Sequence, residues 1–455
     1  MRIALSVLAA TLIPRAEALT LSQALTLALS NEPTYLAAKA VAAASHERSR
    51  QALAGMLPLV TASAVTNSDR RNYLTRGSTI PAADDAFNNN TQQITLTQPL
   101  WRHANFIAVK QSKSVVSQNE YLLAAARQDL YAKLIAAWCD TMLARDVISF
   151  NQRQVATALQ QLKSQERGLS LGIVSAPAME EARARYEQAR SDEAVSEADM
   201  NVKIAQLEQL IGPIRSFTPP FLSSRLADLN LGWRRIEEWL DVIETTSPTV
   251  LAAERNLEAA DEEVKKQRAG HEPTLDLVAS YNRNGQSVGN FPGQEGYDIR
   301  QEAIGLQLSV PIFSGGGQSA KTAEAIDLQE KARQELEGAR RTARFVAKQA
   351  WFGLQAALVR SAAAQQGRRL WTVALQAAVK GQSSGTNTEL DVLQARQQLE
   401  GAERDLNKAR YDMITSYFRL HAAAGQLSDA DIKALQGFMV PQDEMAQETQ
   451  TTASK

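Results

Sequence analysis

The chain is written twice. Residues 30–38, Ser-Asn-Glu-Pro-Thr-Tyr-Leu-Ala-Ala, read against 245–253, Thr-Thr-Ser-Pro-Thr-Val-Leu-Ala-Ala, and set Pro33 opposite Pro248 at an offset of 215. Pro58 and Pro273 keep that offset, 94–101 aligns with 306–313 at 212, and Trp138/Trp351, Gly172/Gly385 and Gly212/Gly425 all fall at 213. An offset that drifts this little over the whole chain means one supersecondary unit used twice. Any fold must therefore accommodate two copies of the same element order.

That order is legible in each copy. A helix follows the Pro-Thr pair and ends near Met56 or Gly270, where Pro58 and Pro273 stop the helical register. Two strand-like runs come next. Ile304, Leu306, Leu308 and Val310 alternate with Ala303, Gly305, Gln307 and Ser309, and Ile94 and Leu96 alternate with Gln93, Thr95 and Thr97. This period of two predicts strands with unlike faces. The polar stretches 69–90 and 285–300, rich in Asn, Gly, Asp and Gln, read as exposed loops between paired strands. A long helix then follows. Residues 102–167 contain neither Gly nor Pro, enough for a helix of roughly 100 Å at 1.5 Å per residue. In the second copy the long helix, 318–380, breaks at Gly381-Gln382-Ser383-Ser384-Gly385 and returns over 388–424. On the return, Leu399, Ala402, Leu406, Ala409, Met413, Ser416 and Leu420 fall at alternating spacings of three and four, a coiled-coil seam with small residues in it.

The N-terminus carries an address. Arg2, an apolar run over 3–13 and Ala16-Glu17-Ala18 form a secretory signal with its cleavage site, so 1–18 is set apart from the fold. No later stretch reaches the ~18 apolar residues of a membrane helix, so membrane residence would require β-strands. The predicted divisions are 1–18 signal peptide, 19–212 first repeat, 213–247 linking segment, 248–425 second repeat and 426–455 C-terminal segment, polar and disordered from Pro441.

Chemistry is hard to find. With 49 Lys+Arg against 50 Asp+Glu there is no basic footprint for nucleic acid. Phosphate-loop, His-Glu-x-x-His and Cys-x-x-Cys motifs are missing, and His46, His103, His271 and His421 lack ligand spacing, so no enzyme, metal or cofactor is expected. Ser314-Gly315-Gly316-Gly317 has no phosphate-binding lysine and reads as a strand-to-helix turn. Cys139, the single cysteine, excludes an intramolecular disulfide and reads as a small buried helix residue.

Four strands cannot close on themselves without open edges, whereas three chains would supply twelve, an even number within the range of outer-membrane barrels. Trp101 and Phe313 sit at equivalent strand-to-helix junctions, where an interfacial aromatic girdle would fall; packing at a sheet edge is the alternative.

With its signal peptide, its duplicated helix-strand-strand-long helix-return helix order, its Pro-Leu-Trp and Pro-Ile-Phe-Ser-Gly-Gly junctions and its glycine-bearing hairpin tips, the chain resembles the TolC family over residues 19–430. The resemblance implies a membrane α+β fold: a homotrimer sharing a 12-stranded β-barrel in outer-membrane lipid, four strands per chain, continued into a long α-helical coiled-coil barrel in the periplasm. Segment 213–247, with Trp233 and Trp239, and the segment after Gly425 would form an equatorial belt. It also implies passive exit for protein or small-molecule cargo delivered by an inner-membrane ABC or RND pump and a periplasmic membrane-fusion adaptor. The competing reading is a soluble periplasmic coiled-coil scaffold or adaptor.

The family docks its adaptor through hairpin-tip motifs, matched here by Leu171-Gly172-Ile173 and Ser384-Gly385-Thr386; a glycine that simply turns a hairpin is compatible with that role. Asp391 matches one acidic ring of the family's periplasmic gate. The second ring position is Gln394, the family's arginine after Gly-Thr is Asn387, its tyrosine is Gln382, and its Thr-Asp is Pro177-Ala178. A looser or differently bonded gate is implied.

Overall fold

A computed structural model describes residues 19–73, 83–214, 217–223, 235–289 and 295–440. The signal peptide, Trp233 and the polar tail from Pro441 lie outside these residues. In chain order the elements are α1 (Leu21–Asn31), α2 (Pro33–Ala54), β1 (Leu59–Tyr73), β2 (Ala83–Trp101), α3 (His103–Ser170), α4 (Ala176–Ile211), β3 (Phe221–Leu222), α5 (Ile236–Thr246), α6 (Pro248–Arg268), β4 (Thr274–Gln286), β5 (Tyr297–Ser309), α7 (Gly317–Ser383), α8 (Glu389–Ala423), α9 (Asp429–Gln436) and β6 (Met439–Val440). Two compact units share them. The first comprises residues 1–39, 122–250 and 340–455, the second residues 40–121 and 251–339.

The second unit holds a four-stranded antiparallel sheet in the order β1-β2-β4-β5, with β1 and β5 each paired on one side only. Register assigns the faces. The row Val60, Leu96, Ala279 and Ile304 is apolar, and the adjacent row Thr61, Thr95, Ser280 and Ala303 is mostly hydroxylic. Since neighbouring rows point to opposite sides, one face is greasy and the other polar. The strands run further than sequence alone suggested. Residues 69–73 and 83–90, read as loop, pair Asp69 with Phe87 and Asn67 with Asn89, and 285–286 and 297–300 likewise continue the β4-β5 ladder. Backbone pairing between antiparallel partners carries the ladder past the apolar band, so side-chain polarity there marks the surroundings rather than the end of the strand. At the junction with α3, Arg102 holds Asp276 through two bonds of 2.8 and 2.7 Å.

The first unit is helical. Its core is built where α3 presents Leu130, Tyr131, Leu134, Ile135, Trp138 and Met142 at helical spacing, all at most 2% exposed, with Leu207 and Ile211 of α4, Ile243 of α5 and Leu406 and Ile414 of α8 also buried. Of the seam read on α8, Leu406, Ala409, Met413 and Leu420 are buried, while Leu399, Ala402 and Ser416 are partly covered. Cys139 is buried, and desolvation pushes its thiol up to about 12. Three short helices went unread in the sequence, α1, α5 and α9, although two are announced by capping boxes: Thr20 with Gln23 on α1, and Ser428 with Asp431 on α9.

The duplication survives in detail. Gly172 and Gly385 have φ of 75° and 77°, Gly212 and Gly425 of 89° and 70°. The Asn31 side chain donates to the Ile211 carbonyl at 2.7 Å, and at the equivalent place in the other repeat the Thr246 hydroxyl donates to Ala424, also at 2.7 Å. Each bond satisfies a terminal carbonyl of a return helix, one of the groups a helix end leaves unpaired.

Candidate functional site

Both hairpin tips are Schellman turns, and glycine is what permits them. At the first, the amide of Ile173 donates to Gly168 at 2.9 Å and that of Gly172 to Leu169 at 3.0 Å. At the second, Thr386 donates to Gly381 at 2.8 Å and Gly385 to Gln382 at 3.1 Å. The motif needs a left-handed residue at its fifth position, where a Cβ costs about 1–2 kcal/mol. No atom lies within 4 Å of a Cβ built on either glycine, so side-chain space is open there. Pro177 falls in the first turn of α4, where its missing N–H costs nothing. Leu171 and Ile173 project into solvent at 67% and 77% exposure, two apolar side chains that serve no packing within the chain. Ser384 and Thr386 link hydroxyls across their turn at 3.2 Å.

The second tip lies against α3, short of the first tip. Gln160, late in α3, donates to Glu389 at the start of α8 at 3.3 Å. Beside them Thr388 and Asp391 form a capping box: the Asp391 carboxylate accepts from the Thr388 amide at 2.7 Å and hydroxyl at 2.8 Å. Those donors, the amide first, hold the Asp391 carboxyl below its usual range. Asp391 thus has a local task, helix capping, that sequence reading did not assign to it. Asn387 is half-buried against Gly381, to whose carbonyl its amide donates at 3.2 Å, and Gln394 is exposed.

Above the tips two carboxylates are drawn into the α3–α8 contact. Glu400 lies 3.8 Å from Arg153 and accepts from Gln154 at 3.3 Å; burial raises its pKa against the pull of Arg153 and Arg396. Asp146 accepts from Tyr411 and Asn407 at 2.9 Å each and pairs with Arg145. Arg145 in turn donates to the carbonyls of Pro219 and Pro220 and lies 3.5 Å from the centre of the Phe221 ring. This cluster ties the segment that pairs β3 with β6 to the helices. Adjacent Arg-Asp in a long helix carries no sequence signal for such a role. Trp239 is buried and meets His421 edge to face at 5.1 Å.

At the sheet, Trp101 is half exposed and stacks on His103, while Phe313 follows β5 and is 88% exposed. Both stand at the same end of the ladder, where Trp101 pairs with Leu275, and Thr274 with Ser309. The Ser314-to-Gly317 run forms a turn, with φ of 62° and 80° at Gly315 and Gly316. On β5 the apolar side chains Ile304, Leu306 and Leu308, with Val310 just beyond it, are all exposed and extend over about 20 Å at ~3.3 Å per residue. Arg283 and Asp298 pair at 2.6 Å nearer the loop end of β4 and β5, so charge begins where the apolar band stops.

An amphipathic antiparallel sheet with two open edges, bordered by the exposed rings of Trp101 and Phe313 and followed by coiled-coil hairpins, defines a class: the subunit of an outer-membrane β-barrel that carries its own helical extension. The chain belongs to the outer membrane efflux protein family, whose two matched blocks, 24–213 and 239–426, follow the two repeats. It is similar to the outer membrane protein TolC of Vibrio cholerae, 25% identical with 89% of this chain and 90% of the relative covered. It is likewise similar to the proteases secretion protein PrtF of Dickeya chrysanthemi, 27% identical over 92% and 91%. The fold matches the Campylobacter jejuni CmeC outer membrane channel with a TM-score of 0.72 at 16% identity, covering 93% of this chain and 90% of that one. It also matches VceC of Vibrio cholerae with a TM-score of 0.71 at 18% identity, covering 89% and 96%. This is an outer-membrane channel protein, and the soluble-scaffold alternative is set aside.

Proposed function

We propose that three copies close their sheets into one twelve-stranded barrel in outer-membrane lipid, with the helical hairpins continuing the duct through the periplasm. The single observation carrying this is the sheet: it is apolar on one face, lined by Ser, Thr, Asn and Gln on the other, and unpaired along β1 and β5. In hydrocarbon an unpaired edge costs several kcal/mol per group, and further copies remove it. The polar face then lines a water-filled passage, and Trp101 and Phe313 stand at the periplasmic membrane interface. The described parts of 213–247 and of the segment after Gly425, as far as Val440, form the belt around the helices, and 19–212 and 248–425 act as the two repeats.

In this reading the chain contributes passage and no catalysis. An inner-membrane ABC or RND pump supplies energy, a periplasmic membrane-fusion adaptor docks at Leu171-Gly172-Ile173 and Ser384-Gly385-Thr386, and cargo leaves by type I protein secretion or multidrug efflux. Both cargo classes are represented by relatives named for protease secretion and efflux. Three Asp391 carboxylates narrow the periplasmic mouth, with Gln394 and Asn387 in place of a charged gate network. Purified from outer-membrane fractions in detergent, the protein is expected to have the mass of three chains. A monodisperse single chain in the periplasm would overturn the proposal.

A further inference from the structure

The helices of the first unit enclose a hollow on the side of α3 turned away from its core. Leu130, Leu134 and Trp138 form the core stripe, and on the same side Arg127 and Tyr131 bond Asp429 of α9. At about 100° per residue, Ala132, Lys133 and Ala136 point to the other side of the helix. There α3 meets α7, α8 and the start of α6 around a cavity of about 770 Å³. Pockets that enclose a small organic molecule measure roughly 300–1,000 Å³.

Small residues make the room. Ala132, Ala136, Ala343, Ala350, Gly353 and Ala423 face the cavity with little more than backbone, and Val346 is the bulkiest apolar side chain on its lining. The helices nonetheless stand close: a Cβ on Gly353 of α7 would lie 3.6 Å from the Ser416 hydroxyl of α8. One wall is pinned by Gln128, whose amide donates to the Leu427 carbonyl and accepts from the Leu427 N–H, both at 3.0 Å. Ser247, Pro248 and Thr249 close the end where α8 gives way to α6. The space is therefore held open by the fold before anything enters it.

Its charge is unbalanced. Lys133, Arg419 and Asp129 are the charged residues of the lining, two cations against one carboxylate. Lys133 pairs with Asp129 at 2.6 Å, one helical turn away. Arg419 is exposed and has no ion pair or hydrogen bond among the described residues, and neither has the hydroxyl of Ser416, three residues before it on the same face. A guanidinium offers a planar fork of donors that matches a carboxylate or sulfonate. An apolar hollow with one such fork at its edge suits a molecule that is apolar in body and anionic at one end.

We propose that this cavity binds one amphipathic organic anion per chain, its apolar body against the alanine walls of α3 and α7 and its acid group on Arg419 and Ser416. All of the walls belong to one chain. That such molecules meet the site in transit rests on the trimeric reading above, in which the face turned from the belt lines the passage, and it names small amphipathic anions as a cargo class.

The test titrates 1-anilinonaphthalene-8-sulfonate, aromatic rings bearing one sulfonate, into full-length protein in nanodiscs of uncharged lipid, with empty discs as baseline. Saturable binding of one molecule per chain is expected. Arg419→Gln, which deletes the charge, and Ala350→Leu, which fills the cavity, should each weaken it about tenfold, while Arg419→Lys keeps most of it. N-phenyl-1-naphthylamine, the same rings without the sulfonate, should bind about tenfold more weakly than the acid. No saturable binding above the empty discs, equal affinity for the neutral compound, or parent-like affinity in either weakening variant would overturn the site. Particle mass on the same samples separates the two claims: three-chain particles that do not bind remove the site alone, whereas single-chain particles that bind remove the trimer and leave the site standing.

Discussion

Arg145→Met isolates the cluster that fastens the β3–β6 segment. The side chain is 13% exposed and its partner Asp146 8%, so solvent screens the pair little. Methionine keeps length and apolar contact and deletes the charge. Removing one partner of a buried ion pair costs about 3–5 kcal/mol. Asp146 would keep its bonds from Tyr411 and Asn407, which pulls the cost toward the lower end. The carbonyls of Pro219 and Pro220 would lose their donor and Phe221 its cation, at about 1–2 kcal/mol each. These terms overlap, and about 3 kcal/mol is a reasonable sum. Because β3 and β6 are only two residues each, the loss is expected as local opening rather than global unfolding. Hydrogen exchange at 221–223 and 439–440 should accelerate on the order of a hundredfold, with α3 core amides unchanged. In a double-mutant cycle, Asp146→Asn should remove much of the effect of Arg145→Met. Exchange altered less than threefold, or strictly additive variants, would refute the assignment.

At the tips, Leu171→Glu with Ile173→Glu should abolish export at unchanged abundance and trimer mass, since neither side chain packs within the chain; normal export would refute docking there. A bulky residue at Gly172 or Gly385 should also impair export, with about 1 kcal/mol of turn strain that thermal melting can register. Asp391→Asn keeps an acceptor for Thr388 while removing charge, so it should reduce cation selectivity and periplasmic block by multivalent cations in planar bilayers; an unchanged profile would reduce Asp391 to its capping role. Glu400→Gln tests pH dependence. Because the folded pKa is raised above 4.5, the charged form costs stability above that raised value, and the cost fades as pH falls through it. The variant should therefore melt higher than the parent at pH 7, and the gap should shrink on acidification. A lower melting point at pH 7 would contradict it.

Much of this architecture was legible because duplication and periodicity are redundant signals. Trp138 and Trp351, Gly172 and Gly385, and Gly212 and Gly425 each report the same element twice, and the glycines do so through a backbone geometry few other residues adopt. The strand ends were not legible. Over 69–73 and 83–90 the polar composition says loop, while the backbone goes on pairing. The β3–β6 pairing was not legible either, since Phe221–Leu222 pairs with Met439–Val440 over two residues and is held by Arg145, a contact between distant segments with no local pattern. At the start of α8, Asp391 was read for its charge, and its bond to Thr388 shows that three-residue spacing at a helix start is equally a capping signal.

The central claim is that this chain builds a water-filled passage across a lipid bilayer. Recording current across a planar bilayer after adding purified protein tests it most directly. Discrete, uniform conductance steps that persist at constant voltage are expected, reduced by multivalent cations on the side bearing the helical tips. A bilayer that stays electrically silent while protease protection confirms inserted trimer would contradict the account.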